Sequence, residues 1–462
     1  MPLTDQQRRR LIGQIRGIPL GFAALILLGA LLLWLPWLHR TGATLSLLDA
    51  LFLSTSATCV TGLTTVNVAE TFNSAGQFVL LFLIQLGGVG IMTAGTLFLI
   101  ISGRRLSLAD EHIIRNTVGG LRTVTPLAIF LHALGFVLFI ELVGALALYF
   151  LPTAGPMTDR TIADAWQAVF HSVSAFCNAG ISTFPEGLVR WENDPWRLTV
   201  IALLVIAGGI GLLALVNLRF YYFWRRDRRA RGYLTIQTRL SLLLAALLIL
   251  AGGLFTLAGE WRGTLAGHPA AHRVGEALFH SVMARTAGFN TVDVGAMNPA
   301  TLLGTMALMF VGGAPGSMAG GIKTVTFALL VLASWTALRR RSAIVLWGRS
   351  IPEKQASTAI LFTLLAGGFL LVATTLLLVT EQGAASGVTS QRWLGLMFEA
   401  VSAFGTVGLS TGVTPLLTAA GKLIVIVLMF AGRVGPLILA LYLARPPAFS
   451  GVRYPPETLT LG

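Results

Sequence analysis

FLSTSATCVTGL (52–63), FHSVSAFCNAGI (170–181), FHSVMARTAGF (279–289) and FEAVSAFGTVGL (398–409) are one pattern written four times. Each runs from a phenylalanine through small and hydroxylated residues to a glycine: Gly62, Gly180, Gly288 or Gly408. The glycines recur roughly every 110–120 residues, so the chain reads as an internal fourfold repeat. Each segment lies between two long apolar stretches. A polar, glycine-bearing loop at membrane depth is tolerated only where protein buries it or water reaches it. The four loops therefore mark something wet inside the bilayer.

The surrounding composition supports a membrane setting. Of the 462 residues 55% are hydrophobic and 11% charged, against about 25% charged in soluble domains, and the mean hydropathy is +0.78. The chain reads as an all-α polytopic membrane protein. The N-terminal apolar run is too long for a signal peptide and has no small-residue cleavage site, so it reads as a retained first helix. The two cysteines, Cys59 and Cys177, both lie in the repeated loops, which excludes a disulfide framework and a multi-cysteine metal site. A net charge of +14 would suggest nucleic acid in a soluble protein. Here 22 of the 33 Lys and Arg fall in the N-terminal segment, in 103–123, 219–239 and 338–354, and at Arg445 and Arg453. The connections on the opposite side hold eight. Positive residues accumulate on the cytoplasmic side, so the charge sets orientation, with both termini inside, and no nucleic-acid partner is implied.

Eight stretches are long and apolar enough to span: 17–38, 76–101, 126–151, 197–223, 240–259, 300–337, 358–380 and 421–443. The repeated loops fall in the outward connections after the first, third, fifth and seventh. Each repeat is expected to be helix, re-entrant pore element, helix. The expected division is 1–16 cytoplasmic segment, 17–102 first repeat, 103–223 second, 224–337 third, 338–444 fourth and 445–462 cytoplasmic tail. Segments such as TIADAWQAVFHSVSAF (161–176) have helical apolar spacing but are too short to cross. Asp49 and Asp164 stand where an acidic side chain caps first-turn amides. The sixth span is the exception, because its middle reads GGAPGSMAGGIK (312–323). Five glycines and a proline remove helix propensity and an amide donor, which predicts a broken helix; a simple kink between packed helices is the alternative.

An ion crossing the bilayer core must exchange its water shell for oxygen ligands, and rings of backbone carbonyls supply these without a buried fixed charge. The backbone must then turn sharply and carry small side chains. Glycine accepts positive φ freely, and Thr61, Ala179, Ala287 and Val407 precede the four glycines. Helix C-termini aimed into the cavity favour a cation. No carboxylate lies in TCVTG, FCNAG, RTAG or FGTVG, which favours a partly dehydrated monovalent cation. Close helix packing through small residues is the competing explanation, and it would not by itself repeat in register four times.

The loops TCVTGL, FCNAGIST, RTAGFNT and FGTVGLSTG, with IQLGGVGIMT (84–93) and GGAPGSMAGGIKT (312–324), resemble the Trk/Ktr/HKT superfamily of potassium transporters over essentially the whole chain. With no added helix pair before the first repeat, the likeness is closest to the bacterial KtrB branch. The resemblance implies four helix–pore-loop–helix repeats in pseudo-fourfold arrangement around a central ion pore. It implies K+ coordination near Val60, Thr61 and Gly62, near Asn178, Ala179 and Gly180, near Thr286, Ala287 and Gly288, and near Thr406, Val407 and Gly408. In the plant branch a serine at the first-loop glycine accompanies sodium preference, so Gly62 favours potassium. The chain departs from the pattern in a third loop one residue shorter between Phe and Gly, and in Cys177 where the family often has Asn. The resemblance further implies a homodimer on a cytosolic ring of nucleotide-binding regulatory subunits of the KtrA/TrkA type, in the bacterial inner membrane. ATP, ADP or NAD would bind to that partner, and this chain would hold no cofactor beyond K+, or Na+ in its place. The absence of a GxxxxGK[ST] or dinucleotide motif agrees.

Lys323 and Arg433 are cations deep in apolar segments, where an embedded charge faces a cavity or a partner. Arg433 is expected beneath the filter, bonded to carbonyls of a gating loop over 312–321 that includes Gly312, Gly313, Pro315, Gly316, Gly320 and Gly321; a plain interhelical tie is the alternative. Lys323 either joins this gate or snorkels to the boundary. Arg285 is expected to pair with Asp293 or Glu399. Gln85 and Glu141 are expected to tie helices together rather than relay protons. His171 and His280 occupy equivalent places before serines, which the repeat explains better than a Ser–His hydrolase does. Three readings remain: a potassium-translocating subunit, a sodium-preferring or Na+-coupled transporter of the same superfamily, and a polytopic membrane enzyme.

Overall fold

In lipid a backbone amide has no water to bond, so a long apolar segment satisfies its own amides by coiling into a helix. The computed structural model describes residues 5–101, 126–151, 161–223, 234–341, 343–382 and 390–443. The basic segment 103–123, residues 224–233 and the tail from 444 onward lie outside them.

The first repeat comprises α1 (Asp5–Leu33), the short pore helix α2 (Leu47–Cys59) and α3 (Ser74–Ile101). The second has α4 (Pro126–Phe150), pore helix α5 (Ile162–Phe176) and a span in two pieces, α6 (Pro195–Ile210) and α7 (Leu212–Phe223). The third has α8 (Ile236–Glu260), pore helix α9 (Ala270–Ala284) and a second divided span, α10 (Pro299–Phe310) and α11 (Thr324–Leu338). The fourth has α12 (Glu353–Glu381), pore helix α13 (Ser390–Gly405) and α14 (Ala419–Leu443). A hairpin, β1 (Ile344–Leu346) and β2 (Arg349–Ile351), joins the third repeat to the fourth. Its turn places Trp347 and Gly348 at positive φ, as a two-residue hairpin of matching twist requires.

Among the described residues Ser74–Met92, Ile236–Glu260, Glu353–Glu381 and Ala419–Pro436 are long and apolar enough to cross a membrane. Of the eight expected spans, the fourth and sixth are interrupted. The sixth breaks as its glycines predict. The break in the fourth is a correction to the sequence reading: Gly211, at φ +89, divides it, and a side chain there would strike the backbone of Pro315 and Gly316. The fourth span yields to make room for the broken sixth.

The flanks of α12 show what the outer helices face. Leu364, Leu371, Val372 and Val379 are exposed on it, an apolar surface that suits acyl chains and would aggregate in water. The pore helices are the reverse: Phe52 to Cys59 of α2 are all buried, including Ser54, Thr55, Ser56 and Thr58. Three hydroxyls anchor these helices to the span before them, with Ser54 donating to the Ile26 carbonyl, Ser172 to Glu141 and Ser281 to Ile249. The first and last repeats also meet. Ile26, Phe52, Cys59 and Leu63 share a core with Leu396, Phe404 and Leu428, and Lys422 pairs with Asp49 at 2.7 Å. The four repeats thus close around an axis in pseudo-fourfold arrangement.

Candidate functional site

The first two pore helices are started by local side chains. Thr161 and Asp164 form a reciprocal capping box, so Asp164 caps as expected. At α2 the cap is Ser46, which accepts from the Asp49 amide, while the Asp49 carboxylate accepts from Ser46 Oγ and Lys422 Nζ instead. At the inner ends the helices stop alike. Val60, Asn178, Thr286 and Thr406 have φ of 56°, 61°, 91° and 49°, and two residues later Gly62, Gly180, Gly288 and Gly408 are also at positive φ. A left-handed residue with a side chain costs roughly 1–2 kcal/mol, and three of the four first residues are β-branched. Strain of this kind persists where surrounding structure over-determines the backbone, and it clusters at functional sites.

The amides in these strained segments turn back onto their helices. Thr61 donates to the Ser56 carbonyl, Ala179 to Ser174, and Val407 to Ser402, while Gly62 and Gly408 donate to the hydroxyls of Ser56 and Ser402. The third loop, one residue shorter, replaces that hydroxyl with a main-chain acceptor: Ala287 and Gly288 both donate to the Met283 carbonyl. Among the described residues no hydrogen bond ends on the carbonyls of 60–62, 178–180, 286–288 or 406–408. Ten of the twelve amides are so engaged, and the acceptors are left over. The side-chain oxygens of Thr61, Asn178 and Thr406 are likewise buried without a partner, while the Asn178 amide donates to Thr286 Oγ1 at 3.2 Å.

The ring closes through the glycines. A Cβ built on Gly62 would meet the Ala179 carbonyl oxygen, one on Gly180 that of Ala287, one on Gly288 that of Val407, and one on Gly408 that of Thr61, all closer than 3.0 Å. Each glycine abuts the carbonyl of the next repeat, and the fourth returns to the first. All twelve residues singled out in the sequence are therefore brought together in one ring.

Polar side chains hold the limbs leaving the ring. Glu399 accepts from Ser410 at 2.6 Å, the Thr411 amide at 3.0 Å and Thr414 at 2.5 Å. His171 bonds Ser182 at 2.9 Å and His280 bonds Thr305 at 3.2 Å, structural roles that fit the repeat. Gln85 donates to Glu141 at 3.1 Å, joining α3 to α4 as expected. Arg285 corrects another expectation. It donates to the Ala245 carbonyl at 3.4 Å, while Asp293 caps Gly295 and Glu399 is occupied by its three donors. The helix geometry turns Arg285 toward α8 rather than toward the ring.

Below the ring lies the broken sixth span. Val311 and Ile322 bridge, Gly312 donates to the Ile322 carbonyl at 2.8 Å and Thr324 to Gly313 at 3.0 Å. The loop so pinched off reaches the other repeats. Ala314 and Met318 donate to the carbonyls of Gly209 and Gly208 in α6, Gly320 lies against the Thr406 side chain, and Gly316 against Gly211. Arg433, 3% exposed, donates to the Met318 carbonyl and, at 3.2 Å, to Gly87. The loop therefore rests on α3, α6 and α14 at once. Lys323 caps no amide and does not snorkel; its Nζ donates to the Ala319 carbonyl within the loop. The serines beneath the filter glycines and Gly211 escaped the sequence reading. The serines had a signal, since Ser56, Ser174 and Ser402 all stand six residues before their glycine.

Comparison with known proteins agrees with this geometry. The "Potassium/sodium uptake protein NtpJ" of Enterococcus hirae is 34% identical over 100% of both chains. The "Ktr system potassium uptake protein B" of Vibrio alginolyticus is 35% identical over 97% of this chain and 95% of its own, and that of Bacillus subtilis is 35% identical over 97% and 98%. The crystal structure of the potassium transporter TrkH from Vibrio parahaemolyticus superposes with a TM-score of 0.71, covering 94% of this chain and 84% of that one at 20% identity, a likeness of fold. The family model described as TrkH, cation transport protein, matches residues 21–449. A multi-pass chain with four pore loops closed into one ring, matched by that model over nearly its whole length, belongs to the TrkH family of cation transport proteins.

Proposed function

We propose that this chain is the potassium-translocating membrane subunit of a K+ uptake system, with K+ passing through the ring of backbone carbonyls. The observation that carries this reading is the set of twelve filter residues whose carbonyls accept no hydrogen bond while their neighbouring amides are tied back to the pore helices. Carbonyls fixed in place and unpaired are the ligands a dehydrated monovalent cation needs. The likeness to Ktr system potassium uptake proteins supports potassium as the cargo. The loop over 312–321, with Lys323 and Arg433, forms the gate: it blocks the axis beneath the filter, and Arg433 holds it shut through the Met318 carbonyl. The functional division follows the repeats, 17–102, 103–223, 224–337 and 338–444, flanked by the cytoplasmic segments 1–16 and 445–462.

In this proposal the chain sits in the bacterial inner membrane with both termini cytoplasmic, as its basic segments favour. It pairs as a homodimer on a nucleotide-binding regulatory ring, which fits the naming of its relatives as parts of Ktr systems. The chain itself holds no nucleotide. A second reading, sodium preference or Na+ coupling, draws on the relative named for both potassium and sodium. Against a polytopic membrane enzyme stands the family, whose members transport cations.

The test is rescue of a potassium-uptake-deficient bacterium at micromolar to millimolar K+, with K+ and Na+ flux measured in proteoliposomes. Rescue with K+ flux that Na+ does not outcompete is expected. Flux of Na+ in preference to K+ would establish the second reading, and no rescue with no cation flux would overturn the function altogether.

A further inference from the structure

Glu192, His268 and His272 stand together on the side from which the pore helices enter, apart from the filter and the gate. Their ligating atoms all lie within 4.8 Å of one another. We propose that these three side chains form a binding site for a divalent transition-metal ion of the zinc class between the second and third repeats, with Glu276 as an outer carboxylate beside His272.

The arrangement follows from the chain. His268 and His272 are four residues apart across the start of α9, so their rings fall on one face and stack, with centroids 4.5 Å apart and planes at 18°. Glu192 comes from the limb that follows the second filter segment. Its Oε1 lies 3.3 Å from His268 Nε2 and 3.9 Å from His272 Nε2. Glu276, one turn further along α9, places Oε1 3.9 Å from the same His272 nitrogen. That nitrogen is buried, has no hydrogen-bond partner, and sits equally far from two carboxylate oxygens. Such spacing is too long for a hydrogen bond and close to what an ion between the groups imposes. With ligand bonds of about 2.0–2.2 Å, tetrahedral zinc holds neighbouring donor atoms roughly 3.3–3.5 Å apart. Closing by about half an ångström brings the His272–Glu192 pair there, and one imidazole turns out of the stack so that both in-plane nitrogen lone pairs meet at one ion.

The outer contacts are those a metal site uses. Arg273 donates to the His268 carbonyl at 2.7 Å and to the Trp261 carbonyl at 3.0 Å, so its charge is committed to the backbone and holds His268 in place. Thr291 donates to Glu276 Oε2 and leaves Oε1 facing His272. Two imidazoles and a carboxylate suit zinc, with nickel and copper next, whereas potassium and magnesium prefer all-oxygen sites. Because Thr291 lies on the limb leaving the third filter segment, an ion here would brace the shortest of the four loops.

The test uses the full-length purified chain with any histidine tag removed. Zn2+ binding is followed by competition with a chromogenic chelator, and Co2+ binding by its visible absorption, which is intense only in tetrahedral sites. One saturable site per chain with the tetrahedral Co2+ spectrum is expected. Binding should weaken about tenfold or more in Glu192→Gln and in the double variant His268→Ala with His272→Ala. Both variants should keep the wild-type K+ uptake measured without added metal, which shows that they fold. No saturable site at micromolar Zn2+, or equal binding by wild type and both variants, would overturn the proposal and leave Glu192 and the histidines as an ion pair between repeats.

Discussion

Gly62→Ala and Gly412→Ala form a matched pair that separates backbone strain from damage to the carbonyl ring. Both glycines are at positive φ, +97° and +85°, so alanine at either position adds roughly 1–2 kcal/mol of conformational strain. Only at Gly62 does the new methyl meet anything: it falls 2.5 Å from the Ala179 carbonyl oxygen and 3.2 Å from the Gly408 Cα, whereas nothing lies within 4 Å of Gly412. Ordinary contact begins near 3.4 Å, so the Ala179 carbonyl must retreat by about 1 Å. An interaction between a charge and a neutral oxygen dipole is worth about 1.5–3 kcal/mol. At 1.4 kcal/mol per decade, its loss weakens apparent K+ affinity roughly 10- to 100-fold. The assay is K+ uptake into proteoliposomes over a range of external K+, with and without competing Na+, alongside thermal unfolding in detergent. Gly62→Ala should raise the apparent KM and narrow the preference for K+ over Na+. Gly412→Ala should lower stability and leave KM close to wild type. A folded Gly62→Ala protein with wild-type K+ affinity, or equal losses in both variants, would refute the role assigned to the ring.

Arg433→Gln removes the donor that ties the intramembrane loop to α14, and shortening the loop over 315–320 removes the obstruction itself; both should raise K+ flux without any regulatory partner, and unchanged flux in both would sink the gate. Glu399→Gln exchanges a carboxylate with three donors for an amide, which should lower unfolding free energy by about 1.5–3 kcal/mol, read by chemical denaturation in detergent. Burial alone would raise the Asp49 carboxyl, but hydrogen bonds from Lys422 and Ser46 outweigh it and hold the group below its ordinary value. Its depressed folded value makes the contribution full above the unfolded value of about 3.9 and lost as pH falls through the folded value. Stability of wild type relative to Asp49→Asn should therefore shrink below about pH 4, and a constant difference from pH 3 to 6 would contradict the pairing. Because the pair is partly exposed, Lys422→Ala should cost only about 1 kcal/mol or less, and less still at high salt.

Much of the site was legible because the decisive feature is a backbone property with a residue signature. A turn that needs positive φ selects glycine, and the same turn made four times leaves glycine at four equivalent places. The broken sixth span was legible for the same reason, since five glycines and a proline cannot continue a helix. The break at Gly211 was not, because a lone glycine in an apolar run is tolerated in many helices and becomes a break only when another backbone presses on it. The expected partners of Arg285 were wrong because opposite charge in the same or a neighbouring repeat says little about where a long side chain at a helix end points. The site built from Glu192, His268 and His272 carried only the four-residue histidine spacing; its carboxylate is 76 residues before the first histidine.

The sequence by itself determined that the chain lives in a membrane, that it is a fourfold repeat, and which residues form the ring, because hydropathy and glycine placement are local requirements that each repeat must meet alone. The tertiary structure decided the rest. It set the order in which each glycine meets the next repeat's carbonyl, the closure of the fourth repeat on the first, and the seat of the loop against Arg433 and Gly211. These depend on distances between segments a hundred or more residues apart, which follow from how the helices pack and not from any one stretch of chain.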